Sequence, residues 1–75
     1  MPTLDDLKPG TKAIVEELEG DDLFAQRLME MGLLEGTTVE FIRRAPLGDP
    51  IEVRVNNRYQ LSLRREDARR IRLQE

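Results

Sequence analysis

The sequence predicts a mainly β fold, in which about five short strands form a small, strongly bent sheet and one α-helix is inserted between the first two strands. Two observations predict this. Several short runs alternate apolar and polar residues, which is the period of a half-buried strand. Residues 24–31 instead place apolar side chains at helical spacing. Because the open edges of such a sheet invite aggregation, we expect it to close into a barrel.

Length and charge limit what this fold can do. A chain of 75 residues without cysteine has neither disulfides nor zinc thiolates to stabilise a small core. Residues 1–40 hold ten acidic and three basic side chains, net −7, whereas residues 41–75 hold nine arginines and five acidic side chains, net +4. Either these charges solvate the faces of the barrel, or an acidic face and an arginine face orient the molecule against a charged partner.

The first strand is predicted over residues 12–18, after a type II turn. Pro9 presets φ and Gly10 accepts a positive φ at the two central positions of that turn. Ala13 and Val15 share one face of the strand, and Leu18 fits the alternation only if the strand contains a bulge or a bend.

The inserted helix is predicted to start at Asp21 or Asp22, because an aspartate accepts hydrogen bonds from free N–H groups there. Phe24, Leu28 and Met31 are spaced as one buried stripe. Gly32 is expected at the left-handed position after the helix, with Leu33 packed on Leu28 in a Schellman motif.

The remaining strands follow the turn at residues 34–37. Val39 and Phe41 are predicted to face the core, whereas Arg43 must either leave the core or pair with an acid. Residues 51–55 and 59–63 form the clearest hairpin, because Asn56 and Asn57 both tolerate left-handed geometry. Residues 64–70 are expected to make one short helical turn, and residues 71–73 the last strand.

Two apolar side chains fall outside the predicted core. Met29 lies off the buried stripe, as either an isolated exposed side chain or a contact for a partner. Leu47 lies in the loop from Arg44 to Pro50, where two prolines and a glycine interrupt any ladder. It either folds back on the barrel or stands out as an anchor for recognition.

The composition argues against catalysis, since the chain lacks histidine and cysteine and Ser62 has no base to activate it. We expect no cofactor and no metal site; the acidic residues at 5–6 and 16–22 lack the spacing of a calcium loop and are interpreted as a solvated face. Nucleic-acid binding is not expected, because the protein is net acidic and Phe24, Phe41 and Tyr59 occupy predicted core positions.

No signal peptide or long apolar run is present, so we expect a cytoplasmic protein without direct membrane insertion.

Four segments, which follow one another along the chain, resemble one known family. These are residues 27–33 (RLMEMGL), 35–37 (EGT), 44–50 (RAPLGDP) and 61–65 (LSLRR). With them, residues 1–75 closely resemble the ferrous iron transport protein A family, the FeoA-like domain. The resemblance implies one SH3-like domain with an inserted helix. It also implies a cytoplasmic accessory role in bacterial ferrous iron uptake, with the membrane ferrous iron transporter B, which carries a cytoplasmic GTPase domain, as partner.

Two hypotheses of function follow from these expectations. The first is a protein-binding module whose helix end and loop form one contact surface, made of Met29, Met31, Leu33, Arg44, Ala45, Pro46, Leu47, Gly48, Asp49 and Pro50. The second is a divalent-metal-responsive sensor domain, related to the C-terminal domain of metal-dependent repressors. Those repressors carry a DNA-binding domain upstream, whereas this chain starts at the barrel, so we expect the stand-alone module. Self-association also stays open, because strand edges on a small barrel invite dimers.

Overall fold

The computed structural model describes residues 2–20 and 22–74. Five antiparallel strands form one sheet in the order β4-β3-β2-β1-β5, which confirms the mainly β prediction. In chain order, the elements are a 3₁₀ turn Leu4–Asp6, β1 Lys12–Leu18, α1 Leu23–Glu30, β2 Thr38–Arg44, β3 Ile51–Val55, β4 Tyr59–Leu63, α2 Arg65–Ala68 and β5 Ile71–Leu73. No helix in this part of the chain is long and apolar enough to cross a membrane.

The core lies on the inner face of β2 and β3, as the alternating pattern predicted. Val39 and Phe41 are buried, together with the three apolar residues of β3. The β2–β3 register shifts between Phe41 and Arg43, which turns the Arg43 side chain to the outside. There its Nε donates to Glu52 Oε2 at 2.9 Å, so the arginine both leaves the core and finds an acid.

Strand β1 contains the predicted bulge, which bends the sheet. Its first residues pair with β2, whereas its last residues pair with β5, and the register shifts between Val15 and Glu17. One bent strand therefore joins the two parts of the sheet. Residues before β1 cover the far edge of β5, where Thr3 bridges Arg72 and the N–H of Leu73 donates to the carbonyl of Pro2 at 2.9 Å.

Helix α1 has the predicted caps. The Asp22 carboxylate accepts from the N–H of Ala25 at 3.2 Å, whereas Asp21 lies outside the described residues. At the other end Gly32 has φ +94°, and the N–H of Leu33 donates to the carbonyl of Leu28 at 3.1 Å, as in a Schellman motif.

The predicted buried stripe on α1 is partly wrong. Leu28 is buried, but Phe24 is 44% exposed and the second buried residue of the helix is Ala25. Helical spacing fixes which residues share a face, but it does not fix how far the sheet extends beneath that face. At the first turn of α1, the side chains of Arg64 and Arg70 lie over the Phe24 ring.

The hairpin turn also follows the prediction, with Asn56 and Asn57 at φ 52° and 57°. Val55 pairs with Tyr59, so Arg58 is an extra residue outside the ladder. Tyr59 is 42% exposed rather than buried, which corrects its predicted core position. Its hydroxyl donates to the carbonyl of Met31 and so ties the start of β4 to the end of α1.

Candidate protein-binding surface

The loop between β2 and β3 presents one apolar side chain on a tight turn. The N–H of Gly48 donates to the carbonyl of Ala45 at 2.7 Å, and the N–H of Ala45 donates to the carbonyl of Pro50 at 3.0 Å. Pro46 is the second residue of the turn and Gly48 the fourth, as in type I turns. The third residue, Leu47, is 96% exposed.

Two side chains, Arg44 and Asp49, hold this loop. Arg44 donates from Nη1 to the carbonyl of Gly48 at 3.4 Å. The Asp49 carboxylate accepts from the N–H of Arg65 at 3.1 Å, at the start of α2. The conformation of the turn is therefore set before any partner arrives, so little conformational entropy is lost when Leu47 is buried against one.

Asp5 anchors the arginines behind the loop. Its side chain is only 9% exposed and accepts hydrogen bonds from Arg44 Nη1 at 2.9 Å, from Arg65 Nε at 3.3 Å and from Arg69 Nε at 3.2 Å. Arg44 Nη2 also donates to the backbone carbonyl of Asp5 at 2.8 Å. The guanidinium of Arg44 lies 5.0 Å from the ring centroid of Phe41, so this arginine is stacked as well as paired.

These contacts shift the titration of Asp5. Burial raises the pKa of the carboxyl, but the hydrogen bonds from Arg44, Arg65 and Arg69 favour its charged form more strongly. The pKa of Asp5 therefore lies below its ordinary value, and the carboxylate stays ionised while it holds the three arginines. The sequence assigned Asp5 to a solvated acidic face, because nothing local connects it to residues 39 to 64 positions away.

The helix end contributes less surface than the sequence predicted. Met29 is 42% exposed and Met31 is partly buried, but Leu33 is completely buried in the core. Leu33 therefore cannot contact a partner, which corrects its place in the predicted surface. The Schellman motif explains the difference, because it folds the residue after Gly32 back against the helix.

The helix end and the loop do not form one patch. Met31 and Gly32 adjoin Tyr59 and Val55, whereas Leu47 follows the opposite end of β2 and β3, where Arg44 pairs with Ile51. Ile51 and Val55, at the two ends of β3, are four residue positions apart, which corresponds to about 13 Å along the strand. The proposed surface therefore divides into two candidate contacts, and only the loop presents a fully exposed apolar side chain.

The acidic first half and the basic second half of the sequence are not separated in the folded structure. Acids of the first half pair with arginines of the second, as in Arg54–Glu40 at 3.3 Å, Arg72–Glu17 at 2.8 Å and Arg70–Asp22. The hydrogen bond from Arg70 lowers the pKa of the Asp22 carboxyl, followed by that from the N–H of Ala25. Halves of the sequence are therefore not separate faces of the molecule.

The prediction that Phe24, Phe41 and Tyr59 all occupy core positions is wrong for two of them. Only Phe41 of the three is buried, and Phe24 lies at the surface with the guanidinium groups of Arg64 and Arg70 at 5.8 and 5.9 Å from its ring centroid. These two arginine side chains lie over the Phe24 ring. They also form ion pairs with Glu66, Asp67 and Asp22.

The acidic residues considered as metal ligands do not converge. Within residues 2–20 and 22–74, no three His, Cys, Asp or Glu side chains come close enough together to hold an ion. Asp5 and Asp22 are instead bound by arginines.

The fold and this surface define a class, a small SH3-like barrel with an inserted helix and an arginine-supported apolar loop. The FeoA domain model matches residues 3–75, so the chain belongs to the FeoA domain family, which takes part in ferrous iron transport. A Porphyromonas gingivalis protein, an Fe(2+) transport protein A/Fe(2+) transporter FeoB fusion, is 41% identical over 68 residues. Those residues are 91% of this chain and 8% of that protein.

Solved structures agree with this assignment. FeoA from Chlorobium tepidum has a TM-score of 0.87 at 39% identity, covering 96% of this chain and 68% of its own. Zinc-complexed FeoA from Stenotrophomonas maltophilia, described as a procaryotic SH3 domain protein, has a TM-score of 0.86 at 31% identity, covering 99% and 91%. A manganese-dependent transcriptional repressor shares the fold at a TM-score of 0.87 and 15% identity, over 96% of this chain and 35% of that one.

Proposed function

We propose that residues 1–75 act as one cytoplasmic, non-catalytic accessory domain of bacterial ferrous iron uptake, which binds the cytoplasmic, GTPase-containing part of the ferrous iron transporter B. The observation that carries this proposal is Leu47, which is almost fully exposed on a turn that the domain itself holds in place. Single exposed apolar side chains are common on protein surfaces, so the support comes from the position of Leu47 on a loop that the scaffold holds, where recognition residues often lie. The P. gingivalis relative supports the choice of partner, because it combines both proteins in one chain.

The loop from Arg44 to Pro50 is the main contact in this proposal, and Met29 and Met31 form a second contact at the helix end. Burying a leucine side chain contributes about 1.5–3 kcal/mol, which corresponds to roughly 10- to 100-fold in affinity. Arg44 acts through the loop, because it fixes the Gly48 carbonyl. Exposed Asp49 and Pro46 flank Leu47 and would form the rim of the contact.

Leu47→Asp is therefore expected to weaken binding to the cytoplasmic part of transporter B by at least about 10-fold. The fold should persist, because Leu47 makes no contribution to the core. Titration calorimetry with the isolated cytoplasmic part measures the affinity, and circular dichroism checks the fold.

Leu23→Asp is the matched control, since Leu23 is 64% exposed but belongs to the start of α1 and not to the loop. An aspartate in the first helical turn also suits the helix dipole. Equal affinities for Leu47→Asp and the wild type would remove the loop from the interface. Met29→Glu then reports separately on the helix end.

The S. maltophilia structure gives a second candidate, a divalent-metal-responsive domain, because that relative was solved with zinc. The described residues of this chain lack a converging ligand set, so we expect Fe²⁺ and Mn²⁺ to bind no more tightly than about 1 mM, as for scattered surface carboxylates. Anaerobic calorimetry with each ion tests this. A micromolar site would favour the sensor.

A further inference from the structure

A groove at the start of β2 provides a second surface that the proposed function does not use. It has a volume of about 440 Å³ and is lined by Lys12, Ala13, Ile14, Thr38 and Gln74. Ile14, which is 40% exposed, gives this groove an accessible apolar side chain. The groove opens where β1 leaves β2 for β5: Ile14 pairs with Thr38 on one side and accepts from the N–H of Gln74 at 2.8 Å on the other.

This groove and the Leu47 loop lie at opposite ends of the same strand. Thr38 is the first residue of β2 and Arg44 the last, so about 20 Å of strand separates the two features. A molecule cannot place its own Leu47 in its own groove. Two copies can do so head to tail, and the contact leaves one free loop and one free groove at the ends of the pair.

We propose that the Leu47 loop of one copy docks in the Ile14 groove of a second copy of this chain. The apolar tip meets the accessible side chain of Ile14, and the charges at the rims match. Asp49, which is exposed two residues after Leu47, would meet Lys12 at the edge of the groove. The contact is heterologous, because loop and groove are different surfaces, so it continues beyond two copies into a ring or an open chain.

The inference shares Leu47 with the proposed function but does not depend on it. Self-association and transporter binding would compete for the same loop, whereas only self-association needs the groove. Ile14→Glu therefore separates them: self-association should be lost, while binding to the transporter's cytoplasmic part should remain within about 2-fold of the wild type. Loss of both would place the groove in the transporter interface and overturn the assignment of the groove to a second copy.

Sedimentation velocity over a concentration series up to about 1 mM provides the test, since a contact built on one leucine is expected to be weak. The wild type should grow beyond a dimer as concentration rises. Leu47→Asp and Ile14→Glu should each stay monomeric. An equimolar mixture of the two should form dimers and stop there, because one copy supplies an intact loop and the other an intact groove.

A wild type that is monomeric throughout, or a mixture that stays monomeric, would overturn the proposal. A wild type that stops at a closed dimer would also contradict it, because a head-to-tail contact leaves one free loop and one free groove for further copies. Reversing the charge at the rim of the groove gives an independent check. Lys12→Glu should weaken association, because it places a second carboxylate opposite Asp49. Circular dichroism of each variant shows that the fold is retained.

Discussion

Asp5→Asn is expected to lower the free energy of unfolding by about 2–4 kcal/mol. The amide removes the charge that holds Arg44, Arg65 and Arg69 together, and it leaves three guanidinium groups in mutual repulsion beside a nearly buried side chain. Removing one partner of a buried pair costs about 3–5 kcal/mol. The value here is lower because the arginines remain partly hydrated.

Urea denaturation at pH 7 measures this difference, and Glu17→Gln is the control. Glu17 also pairs with an arginine, at 2.8 Å from Arg72, but both side chains are solvated. Its loss should therefore cost no more than about 1 kcal/mol. Equal effects of the two substitutions would mean that the Asp5 cluster is an ordinary surface ion pair.

The same cluster predicts a dependence on pH. Because the folded-state pKa of Asp5 is lowered from 3.8, its contribution to stability is fully present above that value and is lost as pH falls through the lower folded-state pKa. The difference in unfolding free energy between wild type and Asp5→Asn should therefore be constant from pH 7 to about 5 and shrink below 3.8. A difference that persists unchanged to the lowest pH at which the protein folds would show that charge is not its cause.

The sequence predicted correctly those features of the fold that depend on local patterns. The turns, the helix caps and the alternation of β2 and β3 each depend on residues within a few positions of one another. The bulge in β1 was one of the two alternatives that the sequence left open, because Leu18 fits the alternation only with a bulge or a bend. The exposure and pairing of Arg43 were also predicted, since an unpaired guanidinium cannot stay in an apolar core.

Contacts between distant parts of the chain were not predictable in this way. Nothing near Asp5 indicates that arginines at positions 44, 65 and 69 will surround it. The exposure of Phe24 and Tyr59 depends on where the sheet ends, which periodicity does not report. Leu33 was assigned to the surface although its own motif packs it inward. The exposed turn of the loop was predicted better, because its prolines and glycine favour a turn locally, and the contacts of Arg44 and Asp49 then hold it.

Gly32→Ala is the second substitution with a large expected effect, a loss of about 2–4 kcal/mol. An alanine at φ +94° costs about 1–2 kcal/mol in backbone strain alone. A Cβ there would also collide with the Tyr59 hydroxyl and approach its ring carbon Cζ to 3.5 Å. Relief of that collision requires the tyrosine to move, which breaks its hydrogen bond to the Met31 carbonyl. Thermal and urea unfolding measure the loss.

Gly36→Ala separates strain from collision. Gly36 has φ +88° but nothing lies within 4 Å of a Cβ built there, so it should lose only the backbone part, about 1–2 kcal/mol. Tyr59→Phe completes the argument, because it removes the hydroxyl that a Cβ at residue 32 would meet. Combined with Gly32→Ala, it should cost less than the sum of the two single substitutions. Additive losses would show that Tyr59 does not restrict residue 32, and that the end of α1 depends on backbone conformation alone.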